Sequence, residues 1–489
     1  MRAAGSRSWL LLPYLVLAAG AGLRIAQYLN NRSLWVDEVS LAINIVRRDF
    51  AGLFEPLKSA VAPPLFLVVV KAITLVLGPW ELGLRLLPLI GSLAGLVLLW
   101  KVAGDLLPRG FAVVALAFMA FSYRHVYFCQ EVKPYGLDSA AALLLLWMII
   151  LPGSRPLTWR RAVGWGLLGA ATAWLSFASV FVLGGTGLAL AWAWWRQPQR
   201  RVLPKLAVTA ACWAIGAFAL YHLSFRSCPR PRQAALEAYW SGSFLPWPTN
   251  LTHLADIRSA FIELVGYYGF TPLSILLVLL LGALGAGVLW KSRPLIGQAM
   301  VLTFLLSYLG SALHLYPLEG RLTLHLMPFL YLLVAAGAEF LCRHRHPALA
   351  VTVLVLLLAP FLAANVPALT QPIQREEIKP LLALLEKRLE PGDLIAVHYK
   401  SRKAFYYYWS RYKLGDPARV LPGTDGDKPL DVSLEEIAGR RVWLLITHAP
   451  GDDEAKILRK LPPGTKWIET HREPGASLRL FQFPERMTE

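Results

Sequence analysis

The sequence predicts an all-α polytopic transmembrane bundle of about 11 spans followed by a small α/β domain, and three observations carry that expectation. Of the 489 residues, 56% are hydrophobic and only 16% charged, too few charges to wet the surface of a soluble chain. Apolar stretches of about 20 residues, the length that crosses a hydrocarbon core of about 30 Å, recur from Trp9 to Val366. Past Gln371 the density of Pro, Gly and charged residues becomes that of a globular protein, so the bundle is expected at 1–367 and the soluble domain at 368–489.

The first apolar segment, Trp9 to Leu29, lacks an obvious small-residue cleavage site and reads as a retained helix. Further spans are expected at Leu84 to Val102, Phe111 to Phe128, Gly136 to Leu151, Ala162 to Ser176 and Ser179 to Trp195. Five more follow, at Leu206 to Ser224, Phe270 to Trp290, Ile296 to Tyr316, Leu322 to Cys342 and Pro347 to Val366. The net charge of +18 would suit nucleic acid only if the cations clustered on a soluble surface. Instead Arg155, Arg160, Arg161, Arg196, Arg200, Arg201, Lys205, Lys291, Arg293, Arg343 and Arg345 fall in short loops between spans, where positive charge marks the cytoplasmic side. With the N-terminus cytoplasmic and an odd number of crossings, the C-terminal domain is expected outside, on a protein of the plasma (inner) membrane.

Ala62 to Gly78 is apolar but short and carries Lys71. A crossing there would move every later basic loop outside, so it reads as interfacial or re-entrant. The expected outer connections are then 30–83, 128–136, 225–269 and 317–321, the third rich in Trp, Tyr and Pro around WSGSFLPWPTN. In the C-terminal domain, PLLALLEKRLEPGDLIAVHY reads as helix, turn and strand, and RRVWLLITH as a second buried strand. Cys129, Cys212, Cys228 and Cys342 form no CxxC pair, and His314, His325, His344 and His346 form no ligand set.

Three motifs fall on the outer side. LWVDEVS places Asp37 and Glu38 just beyond the first span; a carboxylate there suits orienting or deprotonating a nucleophile, or it is a loop acid paired with Arg32. YFCQEVKPYGLD crowds Glu131, Lys133 and Tyr135 into one turn at membrane level, where ionisable groups are costly unless they pair or work. YPLEGRLTLHLMP sets Glu319 and Arg321 before the tenth span; the guanidinium fork suits a phosphate, or it snorkels.

These residues resemble the C-superfamily (GT-C) of membrane glycosyltransferases, over LWVDEVS with APPL, RLLPLIGSLAGLVLLW, YFCQEVKPYGLD and YPLEGRLTLHLMP. The nearest pattern is that of bacterial family-39-like and lipopolysaccharide-core sugar transferases, related to protein O-mannosyltransferases and the aminoarabinose transferase of lipid A. The resemblance implies inverting transfer from a polyprenyl-phosphate sugar to a glycolipid, glycan or protein. It makes Asp37 the catalytic carboxylate with Glu38 its companion, carries over Glu131 and Tyr135, and puts Arg321 on the donor phosphate. It implies no cofactor beyond, at most, a weakly bound divalent metal. Lys133 stands where relatives carry Arg, a point charge in place of a fork, and Ala62 stands where they carry His before the paired prolines. A lipid-linked sugar flippase and a non-catalytic envelope scaffold are the competing classes; against the first, no paired halves with matching broken helices are visible.

Overall fold

The computed structural model describes residues 7–150, 157–197, 200–226, 234, 237–344, 347–416, 419–424, 434–448 and 453–485. Arg155, Cys228, Arg345 and His346, named above, lie outside them. The chain forms two compact units: a bundle of Met1–Asn30, Arg48–Leu57 and Val61–Pro372, and a second unit of Asn31–Arg47, Lys58–Ala60 and Ile373–Glu489. The division differs from the sequence expectation: Asn31–Arg47, which carries LWVDEVS, and Lys58–Ala60 group with the C-terminal sheet, and the boundary falls after Pro372.

In the bundle, helices α1 (Arg7–Leu29), α4 (Glu81–Leu106), α5 (Arg109–Phe121), α7 (Tyr135–Ile150), α8 (Trp159–Leu175), α9 (Ser179–Arg196) and α10 (Leu203–Tyr221) occupy positions of expected spans. So do α12 (Pro272–Ser292), α13 (Pro294–Ala312), α14 (Met327–His344) and α15 (Pro347–Thr370). Among the described residues six helices are long and apolar enough to cross a membrane: those in α1, α4, α10, α12, α13 and α15. Helix is the form that satisfies every backbone group within its own segment in lipid. The expected third span, Phe111 to Phe128, is broken: α5 stops at Phe121, Ser122 is extended, and a short helix α6 (Tyr123–Phe128) restarts. The segment carrying Lys71 is helix α3 (Pro64–Leu77), 14 residues or about 21 Å long, against a core of about 30 Å.

The closest interhelical seam joins α12 to α14. A Cβ on Gly285 would sit 1.9 Å from the Leu333 carbonyl oxygen, and one on Gly337 would sit 2.2 Å from that of Leu281. Small residues let the two backbones approach where lipid offers no hydrophobic drive between helices. Gly337→Leu is therefore expected to force the seam apart at a cost of about 3 kcal/mol or more, read as loss of the monodisperse peak in size-exclusion chromatography.

The second unit carries a five-stranded sheet in the order β2-β1-β3-β5-β4, from β1 (Leu394–His398), β2 (Val420–Thr424), β3 (Arg441–Thr447), β4 (Lys466–Glu473) and β5 (Ala476–Gln482). Strand β1 is parallel to β2 and β3, whereas β5 is antiparallel to β3 and β4. Helix α16 (Ile378–Arg388), the turn at Gly392 (φ +96°) and β1 are the helix, turn and strand read from PLLALLEKRLEPGDLIAVHY, and β3 is the strand in RRVWLLITH. Ala396, Val442, Leu444, Ile446 and Phe481 form its core. On β5, buried Arg479 donates to Glu454. Burial alone would raise the Glu454 carboxyl, but hydrogen bonds from Arg479 and Ser477 hold it below the ordinary 4.5. A lowered carboxyl stabilises the fold above its unfolded pKa and loses that contribution as pH falls through the folded value. The melting temperature of the full chain is expected to fall on acidification below about pH 5, and to fall less steeply in Glu454→Gln.

Candidate functional site

Two of the three motifs meet within the bundle. The turn Cys129–Pro134 links α6 to α7; the Pro134 carbonyl accepts from the amides of Leu137 (2.8 Å) and Asp138 (3.2 Å), which starts α7 with Tyr135 at its head. This motif is no open loop. Gln130, Glu131, Lys133, Tyr135 and Asp138 are all buried, Glu131 completely. Asp138 accepts from Ser176 Oγ at 2.6 Å.

The third motif is the 3-10 turn Gly320–Thr323. Its backbone is pinned from three sides: Ser139 Oγ on α7 donates to the Leu324 carbonyl (2.8 Å), Tyr316 Oη to that of Leu322 (3.1 Å), and Tyr268 Oη to that of Gly320 (3.3 Å). Burial pushes the Tyr268 phenol well above its ordinary pKa, so it stays a protonated donor. Arg321, at the head of this turn, places its guanidinium carbon 5.7 Å from the Tyr135 ring and 5.9 Å from the Trp240 ring. Aromatic rings at this distance attract a cation electrostatically. Glu319 accepts from Ser243 Oγ, and the Leu318 amide donates to the Ser243 carbonyl (3.2 Å). Leu245 and Leu318 share a small core with Leu326, so WSGSFLPWPTN is packed down beside Arg321.

The break at Ser122 has a physical cause absent from the motif reading. Arg24 of α1 is fully buried and donates to the carbonyls of Met119 (2.8 Å) and Ala120 (3.0 Å), as well as to Ser92 Oγ (2.8 Å). A cation on the last carbonyls of α5 caps that helix and so positions α6 and the Glu131 turn. Arg24→Ala is expected to cost about 3 kcal/mol, visible as a lowered melting temperature of the detergent-solubilised protein.

In the second unit, helix α2 (Val36–Arg47) begins with the first motif. Each amide from Ser33 to Val36 donates to a side chain: Ser33 to Glu377 (3.1 Å), Leu34 to Tyr408 (2.9 Å), Trp35 to Glu38 (3.4 Å) and Val36 to Glu376 (3.1 Å). Of these, the Trp35 and Val36 amides are donors that a helix start leaves open. Arg375 lies 3.3 Å over the Trp35 ring. Glu38 is completely buried and paired to Arg32 at 3.3 Å, whereas Asp37, in the same first turn, is partly exposed. Within one carboxylate pair, Glu38 is the buried member that holds the loop and Asp37 the partly exposed one.

The structure thus brings Tyr135, Arg321 and Glu319 into one cluster with Trp240, Tyr268 and Tyr316, and sets Glu131 and Lys133 in the adjoining turn. Asp37 and Glu38 belong to the other unit. Among the described residues no group of three or more His, Cys, Asp or Glu side chains is gathered as metal ligands would be. His325 contacts Ser307 Oγ at 3.0 Å.

No family model matches this sequence, and no curated protein matches it. Solved structures do. The oligosaccharyltransferase of Archaeoglobus fulgidus, in complex with Zn and sulfate, superposes with a TM-score of 0.55 at 11% identity over 88% of this chain and 67% of that one. The same enzyme, AglB, in complex with an inhibitory peptide and a dolichol-phosphate superposes at 0.51 and 10% identity, over 89% and 69%. ArnT from Cupriavidus metallidurans bound to undecaprenyl phosphate gives 0.49 at 12% identity over 97% and 98%. The fold shared with the oligosaccharyltransferase is the bundle that the resemblance in the motifs implies.

Proposed function

We propose that this chain transfers a sugar from a polyprenyl-phosphate donor to a glycolipid, glycan or protein acceptor at the extracytoplasmic face, with its N-terminus in the cytoplasm. A shared fold alone hosts many activities. The observation that carries the reading is Arg321, its guanidinium carbon 5.7 Å from the Tyr135 ring and 5.9 Å from the Trp240 ring on a turn pinned from three sides. That the oligosaccharyltransferase of the same fold was crystallised with a dolichol-phosphate supports the donor class.

In this mechanism an acceptor O–H or N–H attacks the anomeric carbon from the face opposite the phosphate. Its proton passes to Asp37, the bond from anomeric carbon to phosphate oxygen breaks, and the configuration inverts. The leaving polyprenyl phosphate gains charge, which Arg321 and Lys133 stabilise. Tyr135 and Glu319 position the Arg321 turn, and Glu131, in the adjoining turn, is a further carboxylate of the proposed catalytic set. Transfer is expected to survive EDTA largely intact. The test is mass spectrometry of envelope glycolipids and glycans from cells with and without the protein, alongside transfer by the purified protein in liposomes from a polyprenyl-phosphate sugar. Loss of one defined sugar, restored by the wild-type chain, supports the reading; unchanged glycans with no transfer in liposomes overturn it.

A further inference from the structure

A second cation, Arg124, packs against the Gly266–Phe270 turn. Arg124 of α6 donates from Nε to the Tyr267 carbonyl (3.1 Å), and its guanidinium carbon lies 3.9 Å from the Tyr267 ring centre and 5.6 Å from that of Tyr123. These contacts orient the fork while using only one of its five donors. Among the described residues Arg124 pairs with no carboxylate. The guanidinium lines a cleft of about 260 Å³, closed opposite by Asn365, Ala364 and Ala368 of α15. Asn365 is a fixed wall: its Oδ1 accepts from the Tyr123 amide (2.8 Å) and its Nδ2 donates to the Phe361 carbonyl (2.9 Å). Gly269 closes the turn at φ +93°, where a Cβ would sit 2.2 Å from Asn365 Nδ2.

We propose that this cleft binds the phosphate headgroup of a membrane lipid, at a site separate from the Arg321 cluster and independent of the transferase reading. The anion is indicated by an oriented, carboxylate-free guanidinium, whose remaining N–H groups match phosphate oxygens in pairs. The lipid origin follows from α15. Only 17% of its spanning window is buried, Ala364 and Ala368 are exposed, and exposed Leu356 lies two i, i+4 steps below Ala364 on the same row of the helix. A headgroup on Arg124 leaves its acyl chains along that face.

The test uses the full-length protein in detergent micelles, with native mass spectrometry reading retention of phosphatidic acid against diacylglycerol of the same chains. Isothermal titration with inorganic phosphate runs in parallel. Phosphatidic acid is expected to be retained over diacylglycerol, Arg124→Ala to weaken it by about tenfold or more, and Arg124→Lys to recover part of the loss. Arg258→Ala, on an exposed helical arginine, controls for general surface charge. Ala368→Trp fills the cleft from its exposed wall while keeping Arg124 in the chain, and is expected to block retention even if Arg124→Ala folds poorly. Equal binding of inorganic phosphate, lost in the same variants, would keep the anion site and reassign its source to free phosphate. Retention unchanged in both Arg124→Ala and Ala368→Trp, or lowered equally by Arg258→Ala, overturns the proposal.

Discussion

Arg321→Ala is expected to lower the rate of sugar transfer by about 10²- to 10³-fold with little change in melting temperature. The magnitude follows from what leaves in the proposed reaction. A polyprenyl phosphate gains a full charge as the sugar departs, and a preoriented fork at low dielectric stabilises that charge more than it stabilises the ground state. The small effect on stability follows from the turn's construction, since Ser139, Tyr268 and Tyr316 hold its backbone without the Arg321 side chain. Arg321→Lys restores the charge but not the planar fork, and is expected to recover only part of the rate. Tyr135→Phe keeps the ring that faces Arg321 and should stay near wild type, whereas Tyr135→Ala removes that face and should fall towards Arg321→Ala. Initial rates in liposomes with a polyprenyl-phosphate sugar measure all four. Wild-type turnover in Arg321→Ala would remove the phosphate role assigned to this residue.

The bundle was legible because apolar runs of spanning length are a strong signal, and each expected span has a helix at its place. The Phe111 to Phe128 run misled because its composition does not register a buried guanidinium arriving from another helix; only the fold brings Arg24 to the carbonyls of Met119 and Ala120. A single charge inside the first span was the available sign of it, since intramembrane arginines are rarely idle. Arg321 and Tyr135 were legible as residues but not as neighbours, and Trp240 was visible only as one aromatic among several in an outer connection. The grouping of LWVDEVS with the C-terminal sheet was hidden as well. It depends on Glu376, Glu377 and Tyr408, more than 300 positions along the chain from the amides they accept.

That same network separates two adjacent carboxylates that the sequence presents as equals. Asp37→Asn is expected to reduce transfer by about 10³-fold or more, near the upper range for loss of a positioned general base, while leaving the melting temperature unchanged. The amide keeps the size and much of the hydrogen bonding of the acid but cannot take the acceptor's proton. Glu38→Gln is expected to do the reverse in kind. Glu38 and Arg32 are both buried in a 3.3 Å ion pair, and removing one charge strands the other at a cost of about 3–5 kcal/mol, so folded yield and melting temperature fall first. Activity per folded molecule is then the discriminating quantity: it collapses in Asp37→Asn and is largely retained in the surviving Glu38→Gln. If cells carrying Asp37→Asn keep every envelope glycan while the variant is present in the membrane, the chain is a scaffold and the cluster around Arg321 does not catalyse transfer.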